Sequence, residues 1–302
     1  MRVTPSIQTR NFLENLASVK SRLDKHQEEL SSGKRVNRLS DDSFSASQAS
    51  RISALKTAND QFIQGNAELR SRLELVDTTL QLLNQTLDSA KTVVAQALSG
   101  TTTKETRSAF VASLAGIKQQ VILDANVQAD GIYLFAGTDN RQGPFNSADN
   151  LYHGNTESIS HRLDSSTIID TNLTGDQILG SGPGGLLQIL DDIQAAINDP
   201  NFDDPTVQPG LINAIQNGLN SLESISERVN ALNAQVGSKV RLIDQVQARL
   251  ESQNVGYQAN LSRLVHANLV ESASSFTLAQ QALNVSLQAQ AKAQQNTLLD
   301  YL

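Results

Sequence analysis

The chain has no cysteine and no tryptophan, and only 4% of its 302 residues are aromatic. Without cysteine there are no disulfides, thiol nucleophiles or thiolate zinc sites, and the compartment stays open. Few aromatics favour long helices with Leu, Val and Ala seams over the bulkier core of a compact enzyme. No apolar run approaches the ~18 residues of a membrane span, so no membrane insertion is expected. The first residues, MRVTPSIQTRNFL, lack the apolar stretch of a cleaved secretory signal. A soluble chain without such a signal is expected, which does not make it cytosolic, because some export routes read an uncleaved terminus.

Chemistry-bearing motifs are missing too. The sequence has no Gly-x-Ser-x-Gly, no Gly-x4-Gly-Lys and no His-Glu-x-x-His. His26, His153, His161 and His266 have no ligand spacing among themselves, and DNRQG and DNLYHG miss the alternating acids of a calcium loop. The expectation is no enzyme: no catalytic residue, no cofactor and no metal. A net charge of −7 argues against nonspecific nucleic-acid binding.

What is present is uneven. Proline is missing from residues 6–143 and 210–302, while ten of the seventeen glycines fall between 131 and 210. Helix breakers therefore crowd the centre and leave two long flanks free to be helical. The centre is also acidic, with twelve acids against two bases in residues 130–210, whereas residues 1–60 hold ten bases and seven acids.

The first flank carries a heptad. Ile52, Leu55, Asn59, Phe62, Asn66, Leu69, Leu73, Val76, Leu80, Leu83, Leu87, Ala90, Val94 and Ala97 follow alternating steps of three and four. That register predicts a helix over 45–98, roughly 80 Å long at ~1.5 Å per residue. Asn59 and Asn66 are read as polar seam positions that fix register at some cost in stability, so Asn66→Leu is expected to stabilise. On the second flank Ile225, Val229, Leu232, Val236, Val240, Ile243 and Leu250 keep a helical stripe with a local stutter. The simplest pairing of the two flanks is antiparallel. Residues 103–130 predict a third helix. YLFAGTDNRQGPF, LYHGNTESISHRL and STIIDTNLT predict β-hairpins, GSGPGG a turn, and LLQILDDIQAAIND another helix.

At the ends, Phe12, Leu16, Val19, Leu23, His26 and Leu30 make a short seam. Residues 259–302 contain just four ordinary charges, which suits a helix buried against other copies. Residues 288–302 are expected to be unordered in the monomer, since an Ala/Gln helix alone does not offset the backbone entropy lost. LSSGKRVNRLSDD, residues 30–42, stops one helix, gathers Lys34, Arg35 and Arg38, and offers Asp41 and Asp42 as a helix start.

ELSSGKRVNRLSDDSFSASQA (29–49), GIYLFAGTDNRQGPF (131–145), LYHGNTESISHRL (151–163) and QQALNVSLQAQAKAQQNTLLDYL (280–302) together resemble the bacterial flagellin family, and the central pair resembles its hook–filament junction members. Leu39 and Ser43 stand where the family usually has proline, and NLVESASS has fewer acids than usual.

The resemblance implies a mainly α fold: a long antiparallel coiled-coil or helical-bundle rod with a smaller β-rich central module. Residues 1–42 and 260–302 would form a terminal assembly domain, 43–130 and 210–259 the rod, and 131–209 an outward-facing β-rich module. The rod core would comprise Ile52, Leu55, Phe62, Leu69, Leu73, Val76, Leu80, Leu83, Leu87, Ile225, Val229, Leu232, Val236, Ile243 and Leu250. Subunit assembly would use Phe12, Leu16, Val19, Leu23, Leu30, Lys34, Arg35, Arg38, Leu283, Leu287, Leu298, Leu299, Tyr301 and Leu302.

It further implies a structural adaptor outside the cell on the flagellum, exported by the flagellar type III route. Its partners would be itself in a ring, a neighbouring hook-associated junction protein, flagellin and an export chaperone. A short filament flagellin and a secreted coiled-coil adhesin or effector are the alternatives.

Overall fold

The computed structural model describes residues 5–99 and 103–299. Its helices are α1 (Pro5–Ser32), α2 (Ser43–Ala97), α3 (Lys104–Ala125), α4 (Gly175–Leu179), α5 (Leu186–Ile197), α6 (Gln208–Val265) and α7 (Leu269–Leu299). Four short strands, β1 (Gln128–Ala129), β2 (Ile132–Tyr133), β3 (Ser160–Arg162) and β4 (Ile168–Asp170), form two separate antiparallel ribbons, β1 with β2 and β3 with β4. The fold is mainly α with a small β-containing module, as the breaker distribution implies. Two compact units divide the chain: residues 1–59 with 251–302, and residues 60–250.

In the unit of residues 60–250, α2 and α6 run antiparallel. Lys91 Nζ reaches Ser226 Oγ at 3.3 Å, Asn84 Nδ2 donates to Asn230 Oδ1 at 2.9 Å, and Arg70 pairs with Asp244 at 3.1 Å. Partners rise along α6 as they fall along α2. Leu69, Leu73, Val76, Leu80, Leu83 and Leu87 are buried in this seam, as are Ile225, Val229, Val236, Ile243 and Leu250; Phe62 and Leu232 are partly covered.

Helix α3 lies against α5, where the Lys118 ammonium meets both carboxylate oxygens of Asp191 at 2.7 Å. Arg107 forks onto Asp203 at 2.9 and 2.8 Å and stacks its guanidinium over the Phe202 ring, 4.6 Å from the centroid. This is the planar bidentate pairing that arginine alone supplies. The irregular segment after α3 is held by side-chain clamps rather than by long strands. Asn126 Nδ2 donates to the Phe145 carbonyl at 2.8 Å, and its Oδ1 accepts the Phe145 N–H at 3.1 Å. The Tyr152 hydroxyl lies 2.9 Å from the Phe135 carbonyl and 2.8 Å from that of Asn155. Burial pushes its phenol up to about 12.

Three expectations are corrected. Leu55 is not core: it is 47% exposed, on a face of α2 open to solvent in the unit of residues 1–59 and 251–302. Asn66 is not an idle polar seam residue. It is fully buried, and its Nδ2 donates to the Leu163 carbonyl at 3.0 Å, so it holds the β3–β4 ribbon. Residues 288–299 are helical as the continuation of α7, a segment rich in good helix formers.

Candidate functional site

The site lies in the unit of residues 1–59 and 251–302, where both ends of the chain turn side by side. Helix α1 stops because Gly33 takes φ +68°, a left-handed cap, and returns its N–H to the Glu29 carbonyl at 2.9 Å. The chain then pairs with the α6–α7 turn. Lys34 and His266 form an antiparallel bridge, Arg35 N–H donates to the Val265 carbonyl at 2.7 Å, and Ala267 N–H donates to the Gly33 carbonyl at 3.0 Å.

Arg35 fastens the joint a second time. Its guanidinium donates to the Leu264 carbonyl at 2.9 Å, to Ser45 Oγ at 3.3 Å and to Asp42 Oδ2 at 3.1 Å. Asp42 is also the N-cap of α2: its Oδ1 accepts the Ser45 N–H at 3.0 Å and its Oδ2 the Ser45 hydroxyl at 2.6 Å. The Ser45 hydroxyl and amide, then Arg35, hold the Asp42 carboxyl down to about 2. Asp41 accepts the N–H groups of Arg38 at 2.8 Å and Asn37 at 3.0 Å, which lowers its carboxyl below the ordinary range. The loop is thus preorganised by its two aspartates. It leaves Leu39 75% and Phe44 69% exposed, beside Arg38, which pairs loosely with Glu28 at 3.4 Å.

Of the three cations read as assembly residues, Arg35 is spent within its own chain, while Lys34 and Arg38 are exposed. On α1, Phe12, Leu16, Leu23 and Leu30 are half-buried and Val19 is buried, on the side that packs against α7. Leu283 is half-buried and Leu287 exposed. Leu298 and Leu299 fall in α7, but their side chains, like Tyr301 and Leu302 altogether, lie outside the described residues. Ile52, at the start of the seam, is half-buried.

Two features escape sequence reading. Glu29 is buried between α1 and α7, where its Oε2 accepts the Ser272 hydroxyl at 3.0 Å and meets His26 Nδ1 at 2.9 Å. Nothing marks a glutamate in a Gln-Glu-Glu run as buried, although His26 in the apolar seam was a hint. The second is the uncovered apolar set of Leu13, Val270, Leu278 and Val285, which no heptad count singles out. No group of three metal-ligating side chains occurs among the described residues. No described helix is long and apolar enough to cross a membrane.

Residues 4–140 match the bacterial flagellin N-terminal helical region. Over 303 residues the chain is 24% identical to flagellar hook-associated protein 3 of Escherichia coli, covering 96% of each, and over 300 residues it is 25% identical to that of Salmonella typhimurium, covering 95% of each. The fold is similar to a solved flagellar hook-associated protein of Vibrio parahaemolyticus (TM-score 0.68, 20% identity, 75% of this chain and 100% of that one). It is also similar to flagellar hook-associated protein-3 of Legionella pneumophila (TM-score 0.65, 12% identity, 71% of this chain and 98% of that one). The resemblance to the flagellin family read from the terminal and central stretches is borne out by these matches.

Proposed function

We propose, from the premise of a chain carrying the flagellin N-terminal helical region, that this protein is a structural adaptor at the flagellar hook–filament junction. The observation that carries this reading is the double turn, in which the Gly33–Val36 and Leu264–Ala267 segments are hydrogen-bonded and α1 and α7 pack side by side. A helix pair with apolar side chains on its open face suits polymerisation. Lys34 and Arg38, Phe12 through Leu30 on α1, and Leu283 through Leu302 at the other end serve this assembly. In this reading residues 1–42 and 260–302 assemble, 43–130 and 210–259 form the rod, and 131–209 face outward.

The partners are further copies in a ring, a neighbouring hook-associated junction protein, flagellin, and an export chaperone that shields the apolar ends before secretion. The protein works outside the cell after type III export. Immunogold labelling of isolated hook–filament structures tests this directly. Label confined to the junction, together with a deletion strain that keeps hooks but sheds flagellin, is the expected result. Label along the filament identifies a short flagellin instead, and normal flagella in the deletion strain overturn the flagellar role.

A further inference from the structure

A groove of about 650 Å3 runs between α2 and α3, in the unit of residues 60–250. Thr86 and Ser89 line one wall, and Ser113, Gly116 and Gln120 the other. Leu82, at the rim, is an exposed apolar side chain. At one end lies Asp124, only 7% exposed. Its Oδ1 accepts Gln120 Nε2 at 2.7 Å and its Oδ2 faces Thr86 Oγ1 at 3.5 Å, both neutral donors. Among the described residues no cation pairs with it. Burial raises its carboxyl above the ordinary aspartate range. An acid buried without a countercharge, beside an open groove, is a site that a partner's cation would complete.

The same unit carries the complement on a different helix. Ser238, Arg241, Leu242 and Gln245 on α6 are spaced i, i+3, i+4 and i+7, and so share one face. Arg241 is exposed with no ion-pair partner among the described residues, and Leu242 beside it is an exposed leucine.

We propose that this α6 face of one copy docks into the α2–α3 groove of a second copy, with Arg241 reaching Asp124 and Leu242 covering Leu82 and Ile117. Charge complementarity supports the occupant: Arg241 is a cation with no ion pair and Asp124 a buried acid with no cation among the described residues, each near an exposed leucine. The small side chains of Ser89, Ser113 and Gly116 let a helix approach closely. Groove and ridge sit on different elements, and with one groove–ridge pair per interface the contact is heterologous. Each docked copy still offers a free groove at one side and a free ridge at the other, which propagates a ring. This contact rests on the reading of the chain as a self-assembling junction subunit.

The cysteine-free sequence makes the test clean. Full-length copies carrying Gln85→Cys and copies carrying Gln245→Cys, differently tagged, are co-expressed in the deletion strain, and isolated hook–filament structures are oxidised. A mixed disulfide dimer is expected. Its absence, with both copies located at the junction, overturns the contact. Arg241→Glu, a surface change that leaves folding intact, is expected to cut incorporation roughly tenfold or more through like-charge repulsion. Asp124→Asn in the same chain is expected to restore incorporation to the level of Asp124→Asn alone. Unchanged incorporation of Arg241→Glu also overturns the proposal. Failure of the parent reading looks different: the unaltered protein is then missing from the junction altogether.

Discussion

Asn66 and Leu163 stand 97 positions apart in sequence, yet the buried Asn66 amide donates to the Leu163 carbonyl at 3.0 Å. One side chain of α2 thereby fixes where the β3–β4 ribbon lies. Asn66→Leu removes the donor and buries an unsatisfied carbonyl, which costs about 1–3 kcal/mol. A fall in melting temperature is expected, with weaker amide protection in residues 160–170. A rise would return Asn66 to the role of an ordinary polar seam residue.

This reversal shows what the sequence holds and what it withholds. Period and breakers located α1, α2, α3, α5 and α6 because those signals are local. The heptad positions Leu69 to Leu87 are buried because each needs only a partner stripe, which α6 supplies. Asn66 differs because its partner is a backbone carbonyl 97 positions on, past α3 and the β1–β2 ribbon, and no local pattern encodes that pairing. The joint was legible for the same local reasons. Its glycine, its cap aspartates and its cations could be read, but not that Arg35 would spend its donors on Leu264 and Ser45. The β-module was the least legible. The β3–β4 ribbon falls within the stretches that predict hairpins, whereas the clamps by Asn126 and Tyr152 carry no local signal.

Glu29 and Ser272 define a second testable contact. Ser272→Ala strips the buried Glu29 carboxylate of a neutral donor and leaves only His26 beside it. A hydrogen bond to a charged group contributes about 1.5–3 kcal/mol. Hydrogen exchange is expected to show faster opening of α1 and α7, with the unit of residues 60–250 unaffected. Equal protection in both proteins would mean that water replaces the serine without loss.

Acid is expected to loosen the joint. Asp42 has an ordinary value of 3.8 and is held at about 2 in the folded protein, and Asp41 is lowered as well. A depressed folded value means that the stabilisation is fully present above about pH 4 and is lost as pH falls towards 2. Spectroscopic probes at the start of α2 are therefore expected to respond between pH 4 and 2. In Asp42→Asn, that response should shrink, while the neutral-pH protein already carries a weaker cap. An identical acid transition in Asp42→Asn would remove Asp42 from the explanation.

The exposed face of α7 separates folding from assembly. Val285 is 64% exposed, and Leu278, two helical turns earlier, lies bare as well. Exposed apolar side chains contribute little to the monomer's own stability, so Val285→Asp is expected to change it by no more than about 1 kcal/mol, mostly through helix propensity. Assembly is another matter. If neighbouring copies cover this face, the introduced carboxylate must be buried without a partner, a cost large enough to block packing. The variant is expected to melt like the unaltered protein and to be secreted, yet to be missing from isolated hook–filament structures. Lys or Glu at 285 should behave in the same way, and Leu should not, because burial of charge rather than shape is the cause. Normal incorporation of Val285→Asp would show that this face of α7 stays in solvent after assembly, and that the contacts holding the subunits lie elsewhere on the chain.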